Sequence, residues 1–134
     1  MKYLLLMHYR VEGVPPMETW RPEEIKAHIA FQQALFRELT ASGELLDGQG
    51  LSGPEAARIV TSDGGEPVVT DGPFAESKEF LAGYWLVDVP SDERAIEIAA
   101  KASAAPGPGG RPIRTPIEVR PVPEFGPGAS GPGA

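Results

Sequence analysis

The sequence predicts an α+β domain with a ferredoxin-like, split β-α-β topology and a β-hairpin inserted between its two halves. Three observations support this prediction. A short apolar run typical of a strand opens the chain and is followed by a long amphipathic helix pattern. A strand-helix-strand order returns after residue 80, and two β-branched runs separated by turn residues lie between the halves.

The first half begins with the apolar run 2–9, which predicts a buried strand. A helix is predicted over 22–42, because Pro22 suits the first helical position and Gly43 supplies a left-handed C-cap. A further short strand is predicted over 45–51, where two glycines indicate a bulge or a close backbone approach.

The predicted first helix has a broad apolar stripe that we expect to lie on a sheet or on a partner. His28 is placed at the edge of this stripe. The stripe consists of Ile25, Ile29, Phe31, Leu35, Phe36 and Leu39.

The inserted hairpin is predicted from strands over 58–62 and 67–70. The second half follows with a long aromatic strand over 80–89 and a helix that Ser91 caps and that ends near Ser103. We expect the inner face of this helix to carry Ala95, Ile96, Ala99 and Ala102. The last strand, 117–122, contains a proline, which favours the edge of the sheet.

Composition limits the function classes. The 134-residue chain has a net charge of −7, which disfavours nucleic-acid binding, and its lack of cysteine excludes disulfides and thiolate metal sites. The early apolar run is too short for a signal peptide or a membrane span, so we expect a cytoplasmic protein without a membrane partner. Glycine and proline crowd the end of the chain, which predicts one domain over 1–122 and a disordered tail over 123–134.

Both faces of the predicted sheet carry apolar side chains, although two helices can cover only one face. On the first strand Tyr3 and Leu5 alternate with Leu4 and Leu6. A homodimer formed by packing sheet on sheet is therefore expected.

Residues 69–90 carry a distinctive motif, Asp71-Gly72-Pro73-Phe74, followed by Ala75-Glu76-Ser77-Lys78-Glu79 and Gly83-Tyr84-Trp85. Together with the opening residues 2–7 and with residues 117–122, this segment resembles the YCII-related family, in the branch named for the Asp-Gly-Pro-Phe (DGPF) motif. The resemblance implies a dimeric α/β barrel. Most members of this branch have no assigned function, and some are encoded near sigma factors of the extracytoplasmic type. Better-understood relatives are similar to small-molecule enzymes, including a dehydrochlorinase of aromatic degradation, that use a His–Asp pair without a cofactor.

His28 and Asp71 are the candidate catalytic residues, since a histidine and a carboxylate can act together in acid–base chemistry. Each has a structural alternative: His28 as a half-buried histidine bonded to a backbone carbonyl, and Asp71 as a turn residue. His8, Glu76 and Lys78 are candidate ligand-binding residues, and the alternative for the last two is a solvated surface bridge. No metal site is expected from two histidines without cysteine.

The resemblance, taken with these residues, implies two alternative functions. The first is cofactor-free acid–base chemistry on a small molecule, for example an aromatic or carbonyl compound. The second is a non-catalytic ligand-binding or regulatory module linked to a sigma factor.

Overall fold

The computed structural model describes residues 1–8, 13–72 and 81–123. A four-stranded antiparallel sheet with strand order β2-β5-β1-β6 lies beside a separate two-stranded sheet, β3-β4. This order confirms the ferredoxin-like prediction, including the inserted hairpin. The elements are β1 (Lys2–His8), α1 (Pro22–Ala41), β2 (Leu45–Gly50), β3 (Arg58–Thr61), β4 (Val68–Asp71), β5 (Leu81–Asp88), α2 (Asp92–Ser103) and β6 (Ile117–Pro121).

Capping residues, glycine and proline determine where the helices begin and end and which strand lies at the edge of the sheet. Pro22 begins α1, and Gly43 adopts the left-handed conformation with φ of 80° just beyond it. The Ser91 side chain accepts a hydrogen bond from the Arg94 backbone N–H and caps α2. The edge position of β6 is also as predicted, since among the described strands β6 pairs with β1 alone.

The hydrophobic core lies between the helices and one face of the sheet. The side chains of the core cluster come from β1, α1, β5 and α2, with Val89 just after β5, and fully buried Tyr3, Leu5 and Val87 form the sheet side of the core. The core cluster consists of Tyr3, Leu5, Leu35, Leu39, Trp85, Val87, Val89, Ala95, Ile98 and Ala99.

Both helices are rotated relative to their predicted faces. On α1 the buried line is His28, Leu35 and Leu39, whereas Ile29 and Phe36 are 44% and 38% exposed. The expected packing of Ile29 on the sheet was wrong, because a stripe this broad allows several rotations about the helix axis, and a partner for Ile29 stays a prediction. Phe36, although 38% exposed, still packs against Trp85 of the sheet.

On α2 the prediction for Ile96 was also wrong. Ile96 is 58% exposed, and Ile98 is fully buried beside Ala95 and Ala99. These buried positions follow the i, i+3, i+4 spacing of a single helix face.

The second face of the sheet points away from both helices. We call it the open face and define it by Leu4, Leu6, Tyr84 and Leu86. Leu4 lies opposite Leu86, and Leu6 lies opposite Tyr84, on adjacent strands. All four side chains are half-buried and belong to neither the core cluster nor its surrounding layer.

No helix within the described ranges combines the length and hydropathy needed to span a bilayer. The tail predicted over 123–134 lies, apart from Pro123, outside the described residues. The tail therefore stays a prediction.

Gly48 on β2 permits a close approach of two aromatic rings on the core side. A Cβ atom built there would lie 2.8 Å from Cδ1 of Trp85 and 3.0 Å from Cε2 of Phe36. The two rings pack edge to face with centroids 6.1 Å apart, so a side chain at residue 48 would displace the pair. This is the close backbone approach that the glycines of residues 45–51 predicted.

Gly48→Ala is expected to lower the free energy of unfolding by about 1–3 kcal/mol, because it overpacks the contact with Trp85. Gly50→Ala is the matched control on the same strand, since its Cβ meets no atom within 4 Å. We expect the control to change stability by less than about 0.5 kcal/mol. Chemical denaturation measures both, and equal effects of the two substitutions would contradict this role of Gly48.

A bidentate ion pair joins the beginning of β2 to α2. Arg94 donates from Nε to Glu44 Oε2 at 2.7 Å and from Nη2 to Oε1 at 2.8 Å. Both side chains are mostly buried, with 28% of Arg94 and 18% of Glu44 exposed. The hydrogen bonds from Arg94 and then from Ser42 lower the pKa of Glu44 from 4.5 to about 2.

The lowered pKa predicts acid-sensitive stability. Because folding depresses the pKa of Glu44, the stabilisation is complete above pH 4.5 and is lost as the pH falls through about 2. Glu44→Gln should cost about 1.5–3 kcal/mol at pH 7 and flatten the loss of stability towards pH 2. Thermal unfolding across this pH range measures the effect.

Glu97→Gln is the control for this prediction. Glu97 also accepts from Arg94, at 3.1 Å, but 64% of its side chain is exposed. If the thermal stability of Glu44→Gln and Glu97→Gln changed in the same way between pH 7 and pH 2, the specific role of Glu44 would be contradicted.

Candidate functional site

His28 is a buried polar residue on the core side of α1, with 6% of its surface exposed. Its Nδ1 atom lies 3.0 Å from the carbonyl oxygen of Pro106, and its ring meets Trp20 edge to face at 5.5 Å. A carbonyl only accepts hydrogen bonds, so Nδ1 carries the ring proton and donates it to Pro106. The Nε2 atom of neutral His28 is then left as the proton acceptor.

A second contact between α1 and the connector 106–112 lies one turn before His28. Glu24 accepts the backbone N–H of Gly109 at 2.6 Å and that of Arg21 at 2.9 Å. These two hydrogen bonds lower the pKa of Glu24. The helix therefore holds the connector at two points, through His28 and through Glu24. Residues 113–116 separate this connector from β6, and the Ile113 backbone N–H donates to the Ala105 carbonyl.

Asp71 ends β4 at the root of the hairpin. It lies opposite Arg58 on β3, with Oδ1 3.9 Å from Nη1 of that residue, and 95% of its side chain is exposed. The next residue, Gly72, donates its N–H to the Ala57 carbonyl at 3.0 Å. A Cβ atom built at Gly72 would lie 3.1 Å from Cγ1 of Ile59 on β3. The backbone of Gly72 therefore packs closely against the hairpin.

The structure therefore places the two candidate catalytic residues in different settings. Within the described ranges, no hydrogen bond or ion pair joins His28 to Asp71. Glu76 and Lys78, the candidate ligand-binding residues after the motif, lie outside the described residues. The roles of all four residues stay predictions.

His8 ends β1 on the same side of the strand as Leu4 and Leu6. Its Nε2 atom lies 3.6 Å from Oε1 of Glu118 on β6, and 22% of the His8 side chain is exposed. The Nδ1 atom is buried and, among the described residues, has no hydrogen-bond partner. The second oxygen of Glu118 lies 3.4 Å from Nε of Arg120.

Glu118 and Arg120 complete a polar edge that the sequence prediction missed. Glu118 pairs with Leu6, and Arg120 pairs with Leu4, so both share the open face with the leucines. The signal was present in the alternation of residues 117–120, where apolar Ile117 and Val119 point to the core.

The opposite edge of the open face is also polar. Tyr84 donates its hydroxyl hydrogen to Asp47 Oδ2 at 2.8 Å, and this hydrogen bond raises the pKa of Tyr84. Asp47 and Gln49 lie on β2, paired with Leu86 and Tyr84 respectively. The leucines of the open face thus lie between two rows of hydrogen-bonding groups.

In the part of the chain that the structure describes, no three His, Asp or Glu side chains come together in a group that could hold a metal ion. The chemistry available on the open face is that of a histidine, carboxylates, a guanidinium and a phenol.

Comparison with known proteins assigns the family. The YCII-related domain matches residues 1–110 of the chain. An uncharacterized protein of Rhizobium meliloti (strain 1021) is 34% identical over 109 residues, which cover 81% of this chain and 84% of the relative. The match covers the described elements from β1 to α2, and β6 lies beyond its end. The chain therefore belongs to the YCII-related family.

Proposed function

We propose that this YCII-related protein is a homodimer that carries out cofactor-free acid–base chemistry on a small molecule. One observation carries the proposal: the open face presents leucines between two rows of polar groups, with a histidine at its end. Such an arrangement supports association of two copies, whereas the acid–base chemistry is assigned to His28 and Asp71, which lie elsewhere in the chain.

The dimer is proposed from the uneven covering of the sheet. Both helices pack on the core side, while Leu4, Leu6 and Leu86 stay half-buried on the open face. In a two-fold dimer the same patch of each copy meets its counterpart, so these leucines would bury one another. Full burial of an exposed leucine contributes about 1.5–3 kcal/mol, so burying the remaining exposed part of each half-buried leucine favours this packing.

His28 and Asp71 remain our proposed acid–base residues within this function. The bond from Nδ1 of His28 to Pro106 supports a role for Nε2 as a base, because it fixes the tautomer of the neutral ring. Asp71 supplies a carboxylate that 95% exposure leaves available to a substrate or to a second copy. Better-understood relatives that use a His–Asp pair without a cofactor give the analogy.

The second candidate function is a non-catalytic ligand-binding or regulatory module linked to a sigma factor. The position of Asp71 favours it, because this residue faces Arg58 across the hairpin and has the exposure of a surface turn residue. In this function Asp71 and Gly72 hold the hairpin root and take no part in a reaction.

Leu6→Asp is expected to convert a dimer into a monomer, because it places a charge in the centre of the proposed interface. Light scattering after size-exclusion chromatography measures the mass, and circular dichroism checks that the variant is folded. Leu86→Asp should act in the same way.

Ile96→Asp is the control for the dimer test, since Ile96 is also exposed but lies on α2, away from the open face. A monomeric wild-type protein, or loss of the dimer only in the control, would contradict the proposed interface.

Acid–base catalysis is tested with a panel of small hydroxylated aromatic and carbonyl compounds. His28→Ala and Asp71→Asn should each lower turnover by about 100-fold or more, the usual contribution of one general acid–base group. Product formation by the full chain is the measurement. Equal turnover in the wild type and both variants would exclude this pair and favour the regulatory function.

A further inference from the structure

We propose that the β3-β4 hairpin, residues 58–71, is a dimer arm whose Val60 and Val69 pack against a second copy of this chain. The inference rests on the proposed homodimer and adds to it a contact surface outside the open face. Asp71 belongs to the same hairpin, so the arm would place this carboxylate at the boundary between the two copies.

The hairpin forms a two-stranded sheet of its own. Among the described strands, β3 and β4 pair only with each other and join neither edge of the four-stranded sheet. Every residue of β4 is exposed, and on β3 only Ile59 is half-buried. A two-stranded hairpin alone is at best marginally stable in water, so a hairpin this exposed gains stability from a surface that covers it.

One face of the hairpin is apolar and unpacked. Val60 pairs directly with Val69, so both side chains lie on the same face, and they are 58% and 54% exposed. Ile59 points to the opposite face and packs within its own chain, since its Cγ1 would lie 3.1 Å from a Cβ atom at Gly72. The face with the two valines is therefore the one left for a partner.

The face with the two valines carries no net formal charge. Arg58 and Asp71 pair two positions before Val60 and Val69, so they share this face. Oδ1 of Asp71 lies 3.9 Å from Nη1 of Arg58, and the two charges offset each other. Because the chain as a whole has a net charge of −7, two copies meet with least repulsion through a neutral face of this kind.

The size of the open face favours a second copy as the partner. Half of the residues in the four strands of the main sheet, about 13, point away from the helices. A stable interface takes about 20–30 residues from each copy, so the sheet needs additional surface. Exposed Leu51 connects the sheet with the hairpin, because its N–H donates to the Ala82 carbonyl of β5.

Isotope-filtered NOE spectroscopy on the full chain tests the contact. Copies with 13C-labelled valine, leucine and isoleucine methyl groups are mixed with unlabelled copies. We expect NOEs from the methyl groups of Val60 and Val69 to protons of the unlabelled copy. Ile96, which is 58% exposed on α2, should give none.

The same spectrum separates the arm from the dimer. If Leu6 gives NOEs to the unlabelled copy while both valines give none, the dimer is supported and the arm is overturned. A monomeric chain without any such NOE would overturn both and leave the valines to a different protein. Neither result depends on turnover, so the His28–Asp71 pair is tested separately.

The contribution of the arm is measured as the dissociation constant of the dimer by analytical ultracentrifugation. Val60→Thr combined with Val69→Thr keeps two β-branched strand formers but replaces one methyl group of each with a hydroxyl. We expect the Kd of this variant to be at least about tenfold higher than that of the wild type.

Ile96→Thr is the matched control, since Ile96 is as exposed as Val60 but lies on α2. Its Kd should stay within about twofold of the wild-type value. An unchanged Kd in the double variant, or an equal rise in the control, would overturn the arm. The amide NMR signals of residues 58–71 show whether the hairpin of the double variant is folded.

Discussion

The packing of both helices on one face of the four-stranded sheet is the constraint on which the other features depend. Side chains alternate across a strand, so this packing separates Tyr3 and Leu5 in the core from Leu4 and Leu6 on the open face. The core side determines stability through close contacts such as the one at Gly48. The open face is left with apolar and titratable groups that the chain's own helices do not cover.

The sequence was sufficient to predict the elements and their order, because each depends on local rules. Pro22 and Gly43 bound α1, turn residues form the hairpin, and Pro121 accompanies the edge position of β6. Helix rotation could not be predicted in the same way. Exposed Ile29 and Ile96 fit an apolar pattern as well as the buried residues do, and only packing against the sheet distinguishes them.

The site residues depended on contacts between distant parts of the chain, which sequence patterns do not specify. His28 meets Pro106 across 78 positions, and this contact matches the structural alternative considered for that histidine. His8 was recognised as a candidate, but its partner Glu118 is determined by the register between β1 and β6. The DGPF motif identified the family, although the surroundings of Asp71 could be seen only in the folded hairpin.

The connector between α2 and β6 is anchored on α1. His28 and Glu24 hold the backbone of residues 106–109, and the same stretch of chain continues into β6, where Glu118 stands beside His8. Between this anchored stretch and β6, the backbone N–H groups of Arg114 and Thr115 donate to the Ser103 carbonyl, so the chain is tied a second time before the edge strand begins. A substitution at His28 would remove its hydrogen bond to Pro106, so the placement of residues 106–109 must be known before any functional loss is attributed to the imidazole itself.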